Sequence, residues 1–125
     1  MSGTFEKFTL AQGFKNVWNL FVPNMSPGFP YAVRPNTKEN NSRAHILIAG
    51  DGDHDAHVLV PTGDASKFEY TNDIIVEAGG TVGALTTADL DGDDWLEMYM
   101  PNYDKGYVEV FKMTAAATQA ETFLQ

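Results

Sequence analysis

Short apolar runs rich in β-branched and aromatic residues, separated by Gly, Pro, Asn and Asp, dominate the pattern of this chain. Helical periodicity is scarce, and the runs have the length and composition typical of strands. The pattern predicts eight short strands, at residues 5–10, 17–22, 45–49, 57–60, 68–76, 83–88, 97–100 and 107–112. Eight such strands in 125 residues indicate an all-β sandwich, barrel or propeller.

The composition is that of a folded domain with an acidic surface. Hydrophobic residues make up 43% of the chain, which suffices for one hydrophobic core. The formal charge of −9 argues against nucleic acid or an anionic membrane surface as a partner. No segment approaches the ~18 apolar residues that a spanning helix needs, so we expect no membrane insertion. Cysteine is absent, so the sequence does not indicate a redox compartment.

Self-similarity predicts two four-stranded repeats, at about 5–77 and 81–113, followed by a tail at 114–125. Residues 5–6 match 68–69 and residues 16–20 match 81–85, at a shift of about 65 residues. A competing shift of 40 residues places 51–53 on 91–93. That shorter period leaves no room for four strands per unit, so we favour the longer one.

The densest polar feature is an acidic run at 89–97, which holds five carboxylates in nine residues. Neighbouring carboxylates raise one another's pKa unless a cation neutralises them. The run offers only oxygen ligands, which suits Ca²⁺, and its spacing is shorter than that of an EF-hand loop. The predicted ligands are the carboxylates of Asp89, Asp91, Asp93 and Glu97 and the backbone carbonyl of Trp95. The alternative is a solvated acidic turn that binds nothing.

A second polar cluster lies at 51–57. Asp51, Asp53 and Asp55 are candidate ligands of a second cation, and two neighbouring histidines offer nitrogen ligands for a transition metal. The cluster lacks a carboxylate at the ninth position, so a solvated hairpin tip is the favoured interpretation.

Residues 86–100, followed by the Gly-Tyr-Val-Glu-Val-Phe run at 106–111, resemble the FG-GAP/VCBS repeat of integrin-α-like β-propellers. In that family a strand enters a D-x-D-G-D-x-x-D/E calcium loop, returns as a second strand, and is followed by a third. The resemblance implies Ca²⁺ in the loop at 89–97 and four-stranded propeller-type blades, about two in this chain. At the shift of 65 the corresponding loop of the first repeat has lost its acidic ligands.

Two blades cannot close a propeller ring, because their strand edges would remain open. We expect a homo-oligomer in which the N-terminal strand at 5–10 completes the last blade of a neighbouring copy. Two alternatives remain, namely a piece of a longer propeller and closure as a small sandwich or barrel.

No catalytic motif stands out in the sequence. A nucleophilic cysteine, a nucleophile elbow and a phosphate-binding glycine loop are all missing, so we expect a protein that is not an enzyme. We expect a calcium-binding, extracellular or secreted recognition module with a lectin-like carbohydrate ligand or a protein ligand. The alternative is a non-catalytic structural domain that mediates assembly. Long surface connections often carry binding residues, so Tyr31, Arg34 and Asn36, in an insertion at 28–42, are the candidate ligand-binding residues.

Overall fold

The computed structural model describes residues 3–15 and 26–114 of the chain. These residues form two antiparallel sheets, with the strand orders β1-β2-β3-β4 and β5-β6-β7. The strands are β1 Pro30–Val33, β2 His45–Ala49, β3 Asp55–Pro61, β4 Tyr70–Glu77, β5 Thr86–Ala88, β6 Glu97–Asn102 and β7 Tyr107–Lys112, and a 3₁₀ turn at Ala65–Lys67 precedes β4. The prediction of an all-β protein is confirmed. Neither sheet closes on itself within the described residues, so the arrangement of blades in a propeller stays a prediction.

One hydrophobic core joins the two sheets. The central strands are buried over most of their length, as expected for strands covered on both faces. Leu47 and Val58 contribute from the first sheet, and Met98 and Met100 from the second. Because the two sheets share one core, the connections at their ends are held in fixed positions relative to one another.

Two strand predictions in the N-terminal third need correction. Residues 5–10 form no strand: Phe5 is fully exposed and Phe8 packs on Phe68, with ring centroids 4.7 Å apart. A strand needs a hydrogen-bonded neighbour, which a short apolar run does not guarantee. The insertion at 28–42, predicted to be a surface connection, instead contains β1, which pairs with β2. The predicted strand at 17–22 and most of the tail at 114–125 lie outside the described residues.

The other predicted strands are present with shifted ends. The strands at 45–49 and 107–112 match the observed β2 and β7. Phe68, predicted to begin a strand, instead adopts left-handed backbone at the end of the 3₁₀ turn, so β4 begins at Tyr70. The sheets cover residues 30–77 and 86–112. Whether they are copies of one repeat stays a prediction.

The segment after β1 crosses to the acidic loop of the second sheet. Leu96 N donates to Pro35 O at 2.9 Å, and Thr37 N donates to Asp94 O at the same distance. An isolated antiparallel bridge between Asn36 and Trp95 lies between these two hydrogen bonds. The loop that connects β5 to β6 is therefore hydrogen-bonded to residues 35–37, which follow β1 of the first sheet.

Candidate metal centre

The loop between β5 and β6 folds around the carboxylate of Asp89. Asp89 Oδ1 accepts a hydrogen bond from Gly92 N at 2.8 Å, and Oδ2 accepts one from Asp94 N at 3.0 Å. Gly92 has a φ of 77°, a conformation that glycine adopts without the steric cost that other residues meet. The alternating acidic residues thus form turns with their own backbone, because short Asp side chains reach amides two to five residues on.

Three more carboxylates each use one oxygen to accept a backbone hydrogen bond. Asp91 Oδ1 accepts from Asp93 N at 3.2 Å, and Asp93 Oδ1 accepts from Trp95 N at 2.9 Å. Glu97 Oε2 accepts from Leu90 N at 2.7 Å. The second oxygens of Asp91, Asp93 and Glu97 are left free of backbone donors in these contacts.

The remaining three oxygens converge on one cation, the ammonium group of Lys112. Lys112 Nζ contacts Asp91 Oδ2, lies 2.7 Å from Asp93 Oδ2 and lies 3.7 Å from Glu97 Oε1. The β6–β7 pairing sets this position, because Lys112 is the register partner of Glu97. The acidic loop is therefore arranged around a position where positive charge is stabilised.

Glu97 is the loop carboxylate whose second oxygen is buried without a hydrogen-bond donor. The residue is 5% exposed, and its Oε1 has no hydrogen-bond partner. A buried carboxylate oxygen without a donor is costly, since the charged group has lost water and gained nothing in return. The ammonium of Lys112, at 3.7 Å, is too distant to donate a hydrogen bond. A divalent cation at the position of the Lys112 ammonium would compensate the negative charge on this oxygen.

The titration behaviour of the exposed groups follows from the same contacts. The hydrogen bond from Lys112, followed by the one from Trp95 N, lowers the pKa of the Asp93 carboxyl below its ordinary value. Hydrogen bonds to Asp91 and then to Asp93 raise the pKa of Lys112 above its ordinary range. Both groups therefore remain charged around neutral pH.

Ligand oxygens of Asp89, Asp91 and Glu97 lie within 4.8 Å of one another. Two oxygens each about 2.4 Å from a common Ca²⁺ can be at most about 4.8 Å apart, so these spacings are compatible with one shared ion. The sequence predicted these three residues as ligands and also Asp93. The Oδ2 atom of Asp93 pairs with the Lys112 ammonium. Trp95, predicted to supply a backbone carbonyl, packs its side chain against the core and donates its amide to Asp93.

A second group lies in the loop before and at the start of β3. It consists of Asp53, Asp55 and His57, whose ligand atoms lie within 4.8 Å of one another. His57 Nε2 lies 2.7 Å from Asp53 Oδ2, and both side chains are almost completely buried. Asp51, which the sequence placed in this cluster, is not part of the group. Burial, and then the charge of Asp53, raise the pKa of the Asp55 carboxyl.

The three residues predicted to bind a ligand lie in different environments. Tyr31, on β1, packs against the hydrophobic core. Arg34 Nε donates to Ser42 O at 2.7 Å, and Asn36 Oδ1 accepts from Lys38 N at 2.9 Å. Their polar groups thus organise the insertion itself, and their role in binding a ligand stays a prediction.

Sequence reasoning missed Lys112 and Lys38, whose ammonium groups pair with carboxylates of the acidic loop. Lys38 Nζ lies 2.5 Å from Asp94 Oδ2. The only sequence signal for Lys112 was its place at the end of the strand at 107–112. Its proximity to Glu97 depends on the register of the β6–β7 hairpin, which the turn length alone did not fix.

Comparison of the chain with protein-family models, with curated proteins and with solved structures gives no match. The relation to the FG-GAP/VCBS repeat therefore remains a resemblance of residues 86–111. Among the described residues, no helix is long and apolar enough to cross a membrane.

Proposed function

We propose that this protein is a calcium-binding β-domain in which the ion fastens the β5–β6 loop. The observation that carries the proposal is the buried Glu97 Oε1, which lacks a hydrogen-bond donor and faces the same cation position as Asp91 and Asp93. A bound Ca²⁺ would satisfy this oxygen and join the start of β6 to the loop. Its role would be structural, because the proposed ligands lie in the β5–β6 loop and at Glu97, the first residue of β6.

Calcium is preferred over other metals because of the ligand type. The loop offers carboxylate oxygens and backbone carbonyls, with neither nitrogen nor sulfur, and Ca²⁺ accepts roughly 6–8 such ligands in irregular geometry. Mg²⁺ requires a near-ideal octahedron, which is hard to complete with carboxylates that also accept backbone hydrogen bonds. We extend the proposal to an extracellular or secreted protein, since abundant calcium there would fill even a site of modest affinity.

The experiment that tests the calcium site is a titration of the Glu97→Gln variant. Glutamine keeps an acceptor for Leu90 N but removes the negative charge, so we expect calcium binding to be lost while the fold persists. Glu109→Gln, on β7, is the matched control, because Glu109 is the register partner of Met100 and lies three residues along β7 from Lys112. Calcium binding by Glu97→Gln with the affinity of the original chain would contradict the site.

Recognition of a carbohydrate is the wider function that we propose for the domain. Two aromatic side chains support it: Tyr103, in the β6–β7 connection, is 83% exposed, and Tyr107, the first residue of β7, is 44% exposed. Exposed aromatic rings of this kind offer apolar faces on which a sugar can stack. Glycan-array binding with calcium and with EDTA tests this function, and loss of a sugar signal in Tyr103→Ala would identify the surface.

Assembly is the second candidate function, and a different observation favours it. β7 is the last strand of its sheet among the described residues, and its Val108 and Val110 are exposed. An exposed apolar edge strand is suited to pairing with another chain, here a second copy. The mass in solution tests this function, and a strictly monomeric chain at high concentration would exclude a homo-oligomer.

A further inference from the structure

Lys112 reaches the acidic loop from the adjacent strand and occupies its cation position. The contacts of its ammonium involve Asp91 Oδ2, Asp93 Oδ2 and Glu97 Oε1. These are the same three oxygens that the loop backbone leaves without a donor. The lysine therefore contacts Asp91 and Glu97, two of the three residues that group together as potential metal ligands.

We infer that the Lys112 ammonium and Ca²⁺ compete for one position, so that Lys112 sets the calcium affinity of the loop. This inference rests on the calcium-binding function proposed above. Two cations cannot share the three oxygens, because their repulsion at such short range is strong. Calcium binding therefore requires the ammonium to leave, and part of the gross binding free energy is spent on breaking its ion pairs.

The lysine side chain can leave without disturbing the fold. Its side chain is 41% exposed, and the four-carbon stem is flexible, so the ammonium can turn into solvent. In the absence of calcium the lysine partly neutralises Asp91 and Asp93, whose mutual repulsion would otherwise strain the loop. Lys112 thus stabilises the loop at low calcium concentration. It also lowers the apparent affinity of the loop for calcium, because only molecules in which the ammonium has left the carboxylates can bind the ion.

Lys38 provides a matched control for the effect of charge alone. Its ammonium pairs with Asp94 Oδ2 at 2.5 Å, on the same loop. Asp94 is not one of the residues whose oxygens converge on Lys112 or group together as potential metal ligands. Lys38→Met therefore removes one positive charge near the loop and leaves the Lys112 ammonium in contact with the other three carboxylates.

The test is calcium titration of the full chain by calorimetry, comparing Lys112→Met and Lys38→Met with the original chain. We expect Lys112→Met to bind calcium roughly tenfold more tightly, the factor that corresponds to a lysine bound in about nine of ten molecules. Lys38→Met should tighten binding much less, and Lys112→Arg should not tighten it. Equal affinities of Lys112→Met and Lys38→Met would overturn the inference.

Thermal unfolding in EDTA separates this inference from the proposed function. Without calcium, Lys112→Met should unfold at a lower temperature than the original chain, and the difference should grow at low ionic strength, where the carboxylates repel more strongly. Calcium binding by Lys112→Met alone would support the competition. Absence of binding in both proteins would overturn the calcium function and the competition with it, whereas equal binding in both would overturn only the competition.

Discussion

His54 and Asp94 both adopt the left-handed backbone conformation, with φ of 64° and 73°, and each directly follows an Asp-Gly-Asp sequence. In both loops the carbonyl oxygen of the left-handed residue accepts hydrogen bonds from another segment. His54 O accepts from Ala78 N at 3.0 Å, and Asp94 O accepts from Thr37 N at 2.9 Å. These two loops therefore share a local backbone conformation at a spacing of 40 residues.

The first prediction concerns the cost of this conformation at His54. A side chain in the left-handed region costs roughly 1–2 kcal/mol, which exceeds the extra conformational entropy that glycine loses on folding, roughly 0.5–1 kcal/mol. We expect His54→Gly to raise the free energy of unfolding by about 0.5–1 kcal/mol, measured by urea denaturation. His54→Ala is the control, because it removes the imidazole but keeps Cβ. A His54→Gly variant no more stable than His54→Ala would show that the conformation is not strained.

The second prediction concerns Asn102, which is 1% exposed at the end of β6. Its Nδ2 donates to Ala78 O at 3.0 Å, and its Oδ1 accepts from Lys105 N at 3.2 Å. Asn102→Ala removes both bonds and leaves buried groups with fewer partners, so we expect a loss of roughly 1–3 kcal/mol in the free energy of unfolding. Asn72→Ala, on the exposed part of β4, should cost much less. Similar losses in the two variants would contradict a structural role for the Asn102 side chain.

The third prediction is a pH dependence at Asp55. Burial, and then the charge of Asp53, raise the pKa of Asp55 above the ordinary value of 3.8. The folded state thus binds this proton more tightly than the unfolded state, and the associated stability is present below pH 3.8 and is lost as pH rises through the folded pKa.

Asp55→Asn does not titrate, so in EDTA it should be more stable than the original chain at pH 7, and the difference should shrink as pH falls toward 4. Thermal melts across this pH range measure the effect, and Asp73→Asn on β4 is the control. A difference that stays constant with pH, or that grows on acidification, would contradict the raised pKa.

The fourth prediction concerns Asp91→Ala, a change at an exposed position of the acidic loop. It removes one of the converging oxygens and one partner of Lys112. In EDTA we expect little change in melting temperature, because an exposed ion pair contributes little to stability. With calcium present the original chain should gain stability by mass action and the variant should gain much less. Equal gains from calcium in both proteins would exclude Asp91 as a ligand.

Much of the strand content was predictable from residue pattern alone. β2 and β7 are runs rich in β-branched and apolar residues, and their bounds match the prediction. β2 is followed by Gly50, and β7 ends at Lys112. β1 was missed because Pro30 and Tyr31 lie in a segment rich in Pro and Asn, and they form a strand only by pairing with β2. Residues 5–10 show the reverse case, in which a strand-like run has no strand partner among the described residues.

The acidic loop was equally visible in the sequence, because alternating aspartates fix both the charge density and the local turns. Asp89, Asp91 and Glu97 do come together, as their spacing indicates. The sequence by itself thus determined the all-β class and the carboxylates of a candidate cation site. Only the tertiary structure placed Lys112 against those carboxylates and His57 against Asp53, because strand register and packing join residues whose distance along the chain carries no local signal.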